Sequence, residues 1–457
     1  MGRGGNREVL SRARLRALRR AASLGAVLLT VSLTAQAQSL LDTYRQARQA
    51  DPRFRAAEFN TQAVATLTDQ ARAGFLPTVS ADAEKLQTRQ RILSSENPIF
   101  GAGSTSYPTK STTLSIAQPL FRMEVLERYS QAKASVKQAN YALVAAEQDL
   151  MLRTATAYLM VLAARDAQAF AKAEREAVGS ALELATEKLK SGLGTVTNLH
   201  DATARRAITQ AREIESRNKL NDALQGLREI TGQTPTELQE LRAEFALTQP
   251  EPLDLDRWVE TALTQNLAVL GRREAVEVAR IEIDRQKAGH YPSLNAVVTQ
   301  NRKDSGSTLY GGGSNMSTTE VALRLTVPIY QGGLVQAVSK EAALRHQKAQ
   351  EELEQERRGV ERQTRAAFEG TVSGTTLVAA LSQAVIAQQS AVQAKEQGQR
   401  SGLFTLLPVL DAQRDLFAAR RDYAQSRYDY LLNRLKLAQA AGTLSESHLT
   451  ELSEALQ

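Results

Sequence analysis

The chain has no cysteine. Disulfides, thiolate metal sites, cysteine nucleophiles and cysteine-linked lipid anchors are all excluded. Histidine is scarce: His200, His290, His346 and His448 are far apart, and none lies four residues from another. No helical metal pair can form from such spacing. Glycine-rich phosphate loops are missing too, since Gly311-Gly312-Gly313 has neither a lysine nor a following helix start. There is no nucleophile elbow. These absences argue against an enzyme, and no cofactor is expected. Beyond Leu33, no unbroken apolar run approaches the roughly 18 residues of a membrane helix, so any membrane span must be made of strands. Proline is missing where it would do most harm. None of the eleven lies between Pro119 and Pro235 or between Pro328 and Pro408. Proline breaks helix interiors, so these gaps permit very long helices.

Seven arginines and a single acid, Glu8, fill residues 1–20. An uncharged apolar stretch follows from Ala21 to Leu33, and then Ala35-Gln36-Ala37 offers a small-x-small cleavage pattern. That order is a secretory signal peptide at 1–37, with the mature chain starting near Gln38. The stretch of about 13 residues is too short for an anchor. Nearly all of the formal net charge of +7 sits in this leader. The rest is close to neutral, so nucleic-acid binding has no motivation.

The sequence repeats itself. Ala73-Gly74-Phe75-Leu76-Pro77 matches Ala288-Gly289-His290-Tyr291-Pro292, and Gln118-Pro119-Leu120-Phe121 matches Val327-Pro328-Ile329-Tyr330. Ser191-Gly192-Leu193 matches Ser401-Gly402-Leu403, and Thr231-Gly232 matches Ala441-Gly442. Such ordered matches at nearly one offset indicate a tandem duplication. We expect a first repeat at 38–232, a linker at 233–254, a second repeat at 255–443 and a tail at 444–457. Helices are expected at 40–73, 124–190 and 196–230, and again at 255–288, 334–400 and 405–441. The long ones are rich in Ala, Glu, Gln, Arg and Leu. They show no clean Leu/Ile seam. Their small residues spread over a wider arc, which suits a helix with neighbours on two sides.

Between helices the pattern changes. Val321, Leu323 and Leu325 alternate with Glu320, Ala322 and Arg324; Val79, Ala81 and Ala83 alternate with Ser80, Asp82 and Glu84. Period-two alternation is the strand signature. Strands are expected at about 77–92, 109–119, 292–303 and 317–328, with loops at 94–111 and 305–317. Pro77, Pro119, Pro292 and Pro328 mark the helix–strand junctions, and Phe75, Phe121, Tyr291 and Tyr330 bound the hairpins as an aromatic girdle would. Surface hairpins on a soluble rod are the bland alternative. Four strands cannot close a membrane barrel, whose smallest members have about eight. The chain must then oligomerise, and two or three copies both satisfy this argument.

Several of these residues resemble a known family. Ala73–Pro77, the run Pro328-Ile329-Tyr330-Gln331-Gly332-Gly333, the Ser-Gly-Leu turns, Leu227–Gly232 and Tyr428–Leu435 are similar to the TolC family of outer-membrane efflux proteins. The likeness covers essentially the whole mature chain, and it is strongest toward the type I secretion branch. It implies an α+β membrane protein: a homotrimer with a twelve-stranded transmembrane β-barrel, four strands per chain, on a long α-helical barrel. It also implies an outer-membrane location with a long periplasmic portion. The partners implied are outer-membrane lipid, a periplasmic adaptor and an inner-membrane transporter, ABC-type or proton-driven. The tip turns Ser191, Gly192, Ser401 and Gly402 would lie at the periplasmic end, where an iris-like movement of the inner helix pair opens the channel. The family's gate residues carry over only to Asp411 and Thr197. Pro408 replaces the first of two pore aspartates, and the family's linking residues fall on Gln399, Phe404 and Asn198. Three Asp411 carboxylates around an axis would favour cations. Protein secretion and drug efflux both remain open as cargo, with a non-channel periplasmic coiled-coil protein as the more distant rival.

Overall fold

The computed structural model describes residues 37–94, 103–235, 237–243, 245–307 and 312–456. The expected signal peptide lies, but for its last residue, outside these described residues. The first repeat begins with α1 (Leu40–Ala50) and α2 (Pro52–Ala73), then β1 (Thr78–Ile92), β2 (Gly103–Phe121), α3 (Met123–Lys190) and α4 (Val196–Thr231). The second repeat runs α5 (Leu255–Gln265), α6 (Leu267–Lys287), β3 (Ser293–Ser305), β4 (Ser314–Thr326), α7 (Leu334–Arg400) and α8 (Leu406–Ala440); α9 (Glu446–Glu454) follows.

Two expected helices are each broken in two. The 40–73 helix stops at Asp51, whose Oδ1 accepts the Phe54 N–H at 2.7 Å while Pro52 opens α2. Aspartate at the cap and proline in the first turn together start a new helix. Burial opposes the charge on Asp51, but hydrogen bonds from Arg153 and the Phe54 N–H hold its carboxyl below the usual range. In the second repeat Asn266 does the same work. Its Oδ1 accepts from Ala268 N at 2.9 Å, and its Nδ2 donates to the Ala440 carbonyl at 2.9 Å. Each break lies at the matching place in its repeat.

The long helices are continuous. α3 has 68 residues and α7 has 67, roughly 100 Å each at about 1.5 Å per residue. α3 pairs with α4 and α7 with α8, giving two long coils. The main core lies partway along them, where Tyr44, Leu150, Tyr158, Leu162, Leu431 and Leu449 pack together. The 233–254 segment belongs to this core. Leu238 is buried, and the Tyr158 hydroxyl donates to the carbonyls of Gln38 at 2.9 Å and Gln239 at 3.0 Å. Tyr430 accepts the Thr248 N–H at 2.8 Å.

Gly442 ends the second repeat under tight constraint. Its φ is +77°, and an added Cβ would clash with the Gln265 carbonyl oxygen. A left-handed side chain costs about 1–2 kcal/mol before any clash. Gly442→Val should therefore cost more than about 3 kcal/mol, within the range of severe substitutions. Thermal melting should show a large fall, with Gly226→Ala, at an open helical site, as the unaffected control.

The sheet order is β1-β2-β3-β4, all antiparallel. Pro77 and Pro292 immediately precede β1 and β3, and Pro119 sits at a register shift between β2 and β3. Pro328 follows β4 by two residues. The strands reach further than expected at the loop end: β2 begins at Gly103 rather than near 109, and β4 at Ser314 rather than 317. Pro108 lies inside β2 because the β3 ladder ends opposite Thr109. There β2 has become an edge, where a missing N–H is tolerated.

Candidate functional site

The two coils end in matching reversals. Ser191 and Ser401 cap α3 and α7, and Gly192 and Gly402 follow with φ of +75° and +80°. The Leu193 N–H returns to the Lys188 carbonyl at 2.8 Å, and the Leu403 N–H to the Gly398 carbonyl at 2.8 Å. These are the closing bonds of helices that end on a left-handed glycine. Ser191 and Ser401 hydroxyls donate to carbonyls in the last helical turn.

A cleft of about 220 Å³ lies between the reversals, lined by Leu193, Asn198, Gln399, Phe404 and Leu406 among others. Three positions on which the family's linking residues fall thus share one cleft of one protomer. Their side chains differ in kind. Phe404 lies so close to Gly398 that an added Cβ there would clash with its ring. An aromatic contact stands where a charged tie would be expected. Thr197 is exposed in the first turn of α4, with no side-chain hydrogen bond among the described residues.

Asp411 is not a free carboxylate. Its Oδ1 accepts from Arg205 Nη2 of α4 at 2.5 Å and lies 3.4 Å from Arg414 Nη1, one turn along α8. Arg205 is 13% exposed and Asp411 37%. Beneath this pair Leu406 and Leu410 of α8 pack on Val178 and Ala185 of α3 and Ala202 of α4. Charge continues inward. Glu174 of α3 pairs with Arg212 at 3.3 Å. Burial pushes the Glu174 carboxyl up, against the pull of Arg212, Arg205, Arg421 and Arg414. The structure therefore joins Asp411 to Arg205, and leaves Thr197 apart from both. Arg205 was missed from sequence because its partner lies 206 residues away. The one local signal was the i,i+3 pair Asp411/Arg414.

No group of three or more His, Cys, Asp or Glu side chains among the described residues is placed to hold a metal. The arrangement ties α8 to α4 through the Arg205–Asp411 pair. The family model of the outer membrane efflux protein matches residues 43–233 and 258–443. The chain belongs to the outer membrane efflux protein family. It is 31% identical to Outer membrane protein TolC of Escherichia coli (strain K12) over 445 residues, covering 95% of this chain and 88% of that one. It is 30% identical to the proteases secretion protein PrtF of Dickeya chrysanthemi over 437 residues, covering 94% of each. The crystal structure of VceC from Vibrio cholerae shares the fold, with a TM-score of 0.74 at 18% identity over 88% of this chain and 96% of that one. As an outer membrane efflux protein, the chain is a channel for secretion and efflux, located in the outer membrane, and not an enzyme. Its tandem repeats and mixed helical and sheet architecture are those of the family.

Proposed function

We propose that three copies of the chain form one continuous duct, an exit path for type I protein secretion, closed at its coil tips. The carrying observation is the sheet. Its four strands leave β1 and β4 as open edges, and an open edge inside lipid leaves backbone groups unpaired at several kcal/mol each, on the order given for buried polar groups. Neighbouring copies would pair those edges, and three give twelve strands. The helices support this reading. α7 has no charged residue from 370 to 394, and Leu377 and Ile386 there are 52% and 57% exposed. That stretch is apolar enough by composition to cross a membrane, but it lies within a long coil, where a second copy would cover it.

Export of the chain would use the signal peptide at 1–37. Protein cargo is favoured because PrtF is named for protease secretion. A periplasmic adaptor and an inner-membrane transporter, ABC-type or proton-driven, would engage the tip at Ser191-Gly192 and Ser401-Gly402. In this reading the inner pair α7–α8 swings away from α3–α4 on opening. Asp411 and Thr197 sit at the moving end, and the Arg205–Asp411 pair acts as the latch. With two guanidiniums at Asp411, the closed tip would not present a bare negative ring. Mass measurement in detergent tests the assembly. A single species of three chains is expected, with no folded monomer, because the edges and faces are completed only by partners. A stable folded monomer would overturn the barrel.

A further inference from the structure

The sheet distributes charge unevenly between its faces: five of its seven basic residues share one face, and Lys303 and Arg324 lie on the other. Along β2, Thr112, Leu114 and Ile116 are exposed while Ser111, Thr113 and Ser115 are partly covered; along β3, Val298, Gln300 and Arg302 are exposed while Thr299 and Asn301 are partly covered. The first set lies on one face together with Val79, Ala81, Val321, Leu323 and Leu325 by ladder register; in a closed barrel this would be the outer, convex face, and the other the concave one. Following the same alternation toward the loops, the convex face turns basic: Lys85, Arg89 and Arg91 on β1, Lys110 on β2 and Arg302 on β3. Of the acids in the sheet, Asp82, Glu84 and Glu320 face the concave side, and Asp304 alone shares the convex one.

Lys85 stands directly opposite Lys110 in the ladder. Like charges so placed destabilise a sheet unless something neutralises them. Asp304 pairs with Lys110 in register, yet among the described residues none of the five basic side chains makes an ion pair or side-chain hydrogen bond. The height is informative. From the row of Leu325 to the row of Asn315, Asp304, Lys110 and Lys85 is about ten residues, roughly 34 Å of strand, or about 26 Å of height at a tilt near 40°. A barrel's apolar band is about 25 Å tall. The row of Lys85 and Lys110 therefore lies where the hydrocarbon ends, on the side away from the helices, with Arg302 one same-face row below it and Arg89 and Arg91 above, as one basic collar.

We propose that this collar binds the phosphate groups of a polyphosphorylated glycolipid in the outer leaflet of the outer membrane. The proposal rests on the reading that the convex face meets lipid. Arginine and lysine form short charge-assisted bonds to phosphate, and their stems can lie along the apolar band beneath. An outer leaflet rich in multiply charged headgroups would neutralise Lys85 and Lys110 together, which a zwitterionic headgroup cannot do.

The test reconstitutes the assembled protein in phosphatidylcholine vesicles containing bisphosphorylated lipid A, its dephosphorylated form, or phosphatidylglycerol at matched charge. Lipid retained after detergent extraction is counted by native mass spectrometry, with inorganic phosphate added as competitor. Lys85→Gln/Lys110→Gln/Arg302→Gln should lose most of the retained bisphosphorylated lipid, each single variant should lose part, and concave-face Lys303→Gln should lose none. Inorganic phosphate should compete weakly. Equal retention by the triple variant overturns the collar, and if that variant fails to fold, unchanged retention in all three singles does so. Equal retention of phosphatidylglycerol overturns the glycolipid assignment. Failure of the wild type to insert at all, or loss on Lys303→Gln alone, would instead overturn the reading of the faces.

Discussion

Arg205→Glu and Asp411→Lys, each alone, are expected to raise conductance in planar bilayers, and the exchange Arg205→Asp/Asp411→Arg to lower it again. The reason is the ion pair that joins α4 to α8 near the tip, at 2.5 Å. A hydrogen bond between charged groups contributes about 1.5–3 kcal/mol. Asp411 is 37% exposed, and solvent screening brings the net to about 1 kcal/mol. Three copies act on one opening, so about 3 kcal/mol is removed, and each 1.4 kcal/mol is about tenfold in a population. The closed-to-open ratio should fall roughly 100-fold. Arg205→Glu should have the larger effect, because it also places a carboxylate near Glu174, whose charge burial already disfavours. Unchanged conductance in both single variants would show that the latch lies elsewhere.

Gly192→Val/Gly402→Val should abolish most cargo export while leaving membrane insertion intact. Both glycines have positive φ, and nothing lies within 4 Å of an added Cβ at either. Clash is therefore not the issue; the backbone is. Valine resists the left-handed region by about 1–2 kcal/mol, and the reversal should relax to another geometry. The bonds from Leu193 to Lys188 and from Leu403 to Gly398 would be lost, and with them the shape offered to a docking partner. The sheet, at the far end of the coils, should be unaffected. Secretion assays beside outer-membrane fractionation separate the two effects. Normal export from the double variant would place the docking surface away from the turns.

The architecture was legible because its signals are local and periodic. Proline-free stretches foretold α3, α4 and α7, and alternation foretold the strands and their apolar face. The breaks at Asp51 and Asn266 were not read: Asp51-Pro52 is a local start signal that was passed over, whereas Asn266 stands among good helix formers and only its side-chain cap decides the matter. Pro108 suggested a loop, and it was admitted to β2 by the end of a neighbouring strand, a fact of tertiary register. Asp411 was found through resemblance, as a bare carboxylate. Its guanidinium partner was invisible, since periodicity shows which residues share a face but not which faces of distant helices converge. The partition of basic and acidic residues between sheet faces was present in the sequence, but it acquired meaning only once the ladder rows fixed their common height.

The absence of cysteine permits one direct measurement of the central claim, that the sheet encloses water on its concave face and meets lipid on its convex face. Thr113 and Leu114 are adjacent in β2 and point to opposite faces. Thr113→Cys and Leu114→Cys are made separately and exposed, in intact cells, to a charged maleimide that cannot cross membranes. The account predicts rapid labelling of Thr113→Cys and protection of Leu114→Cys. Equal labelling, or labelling of Leu114→Cys alone, would contradict it.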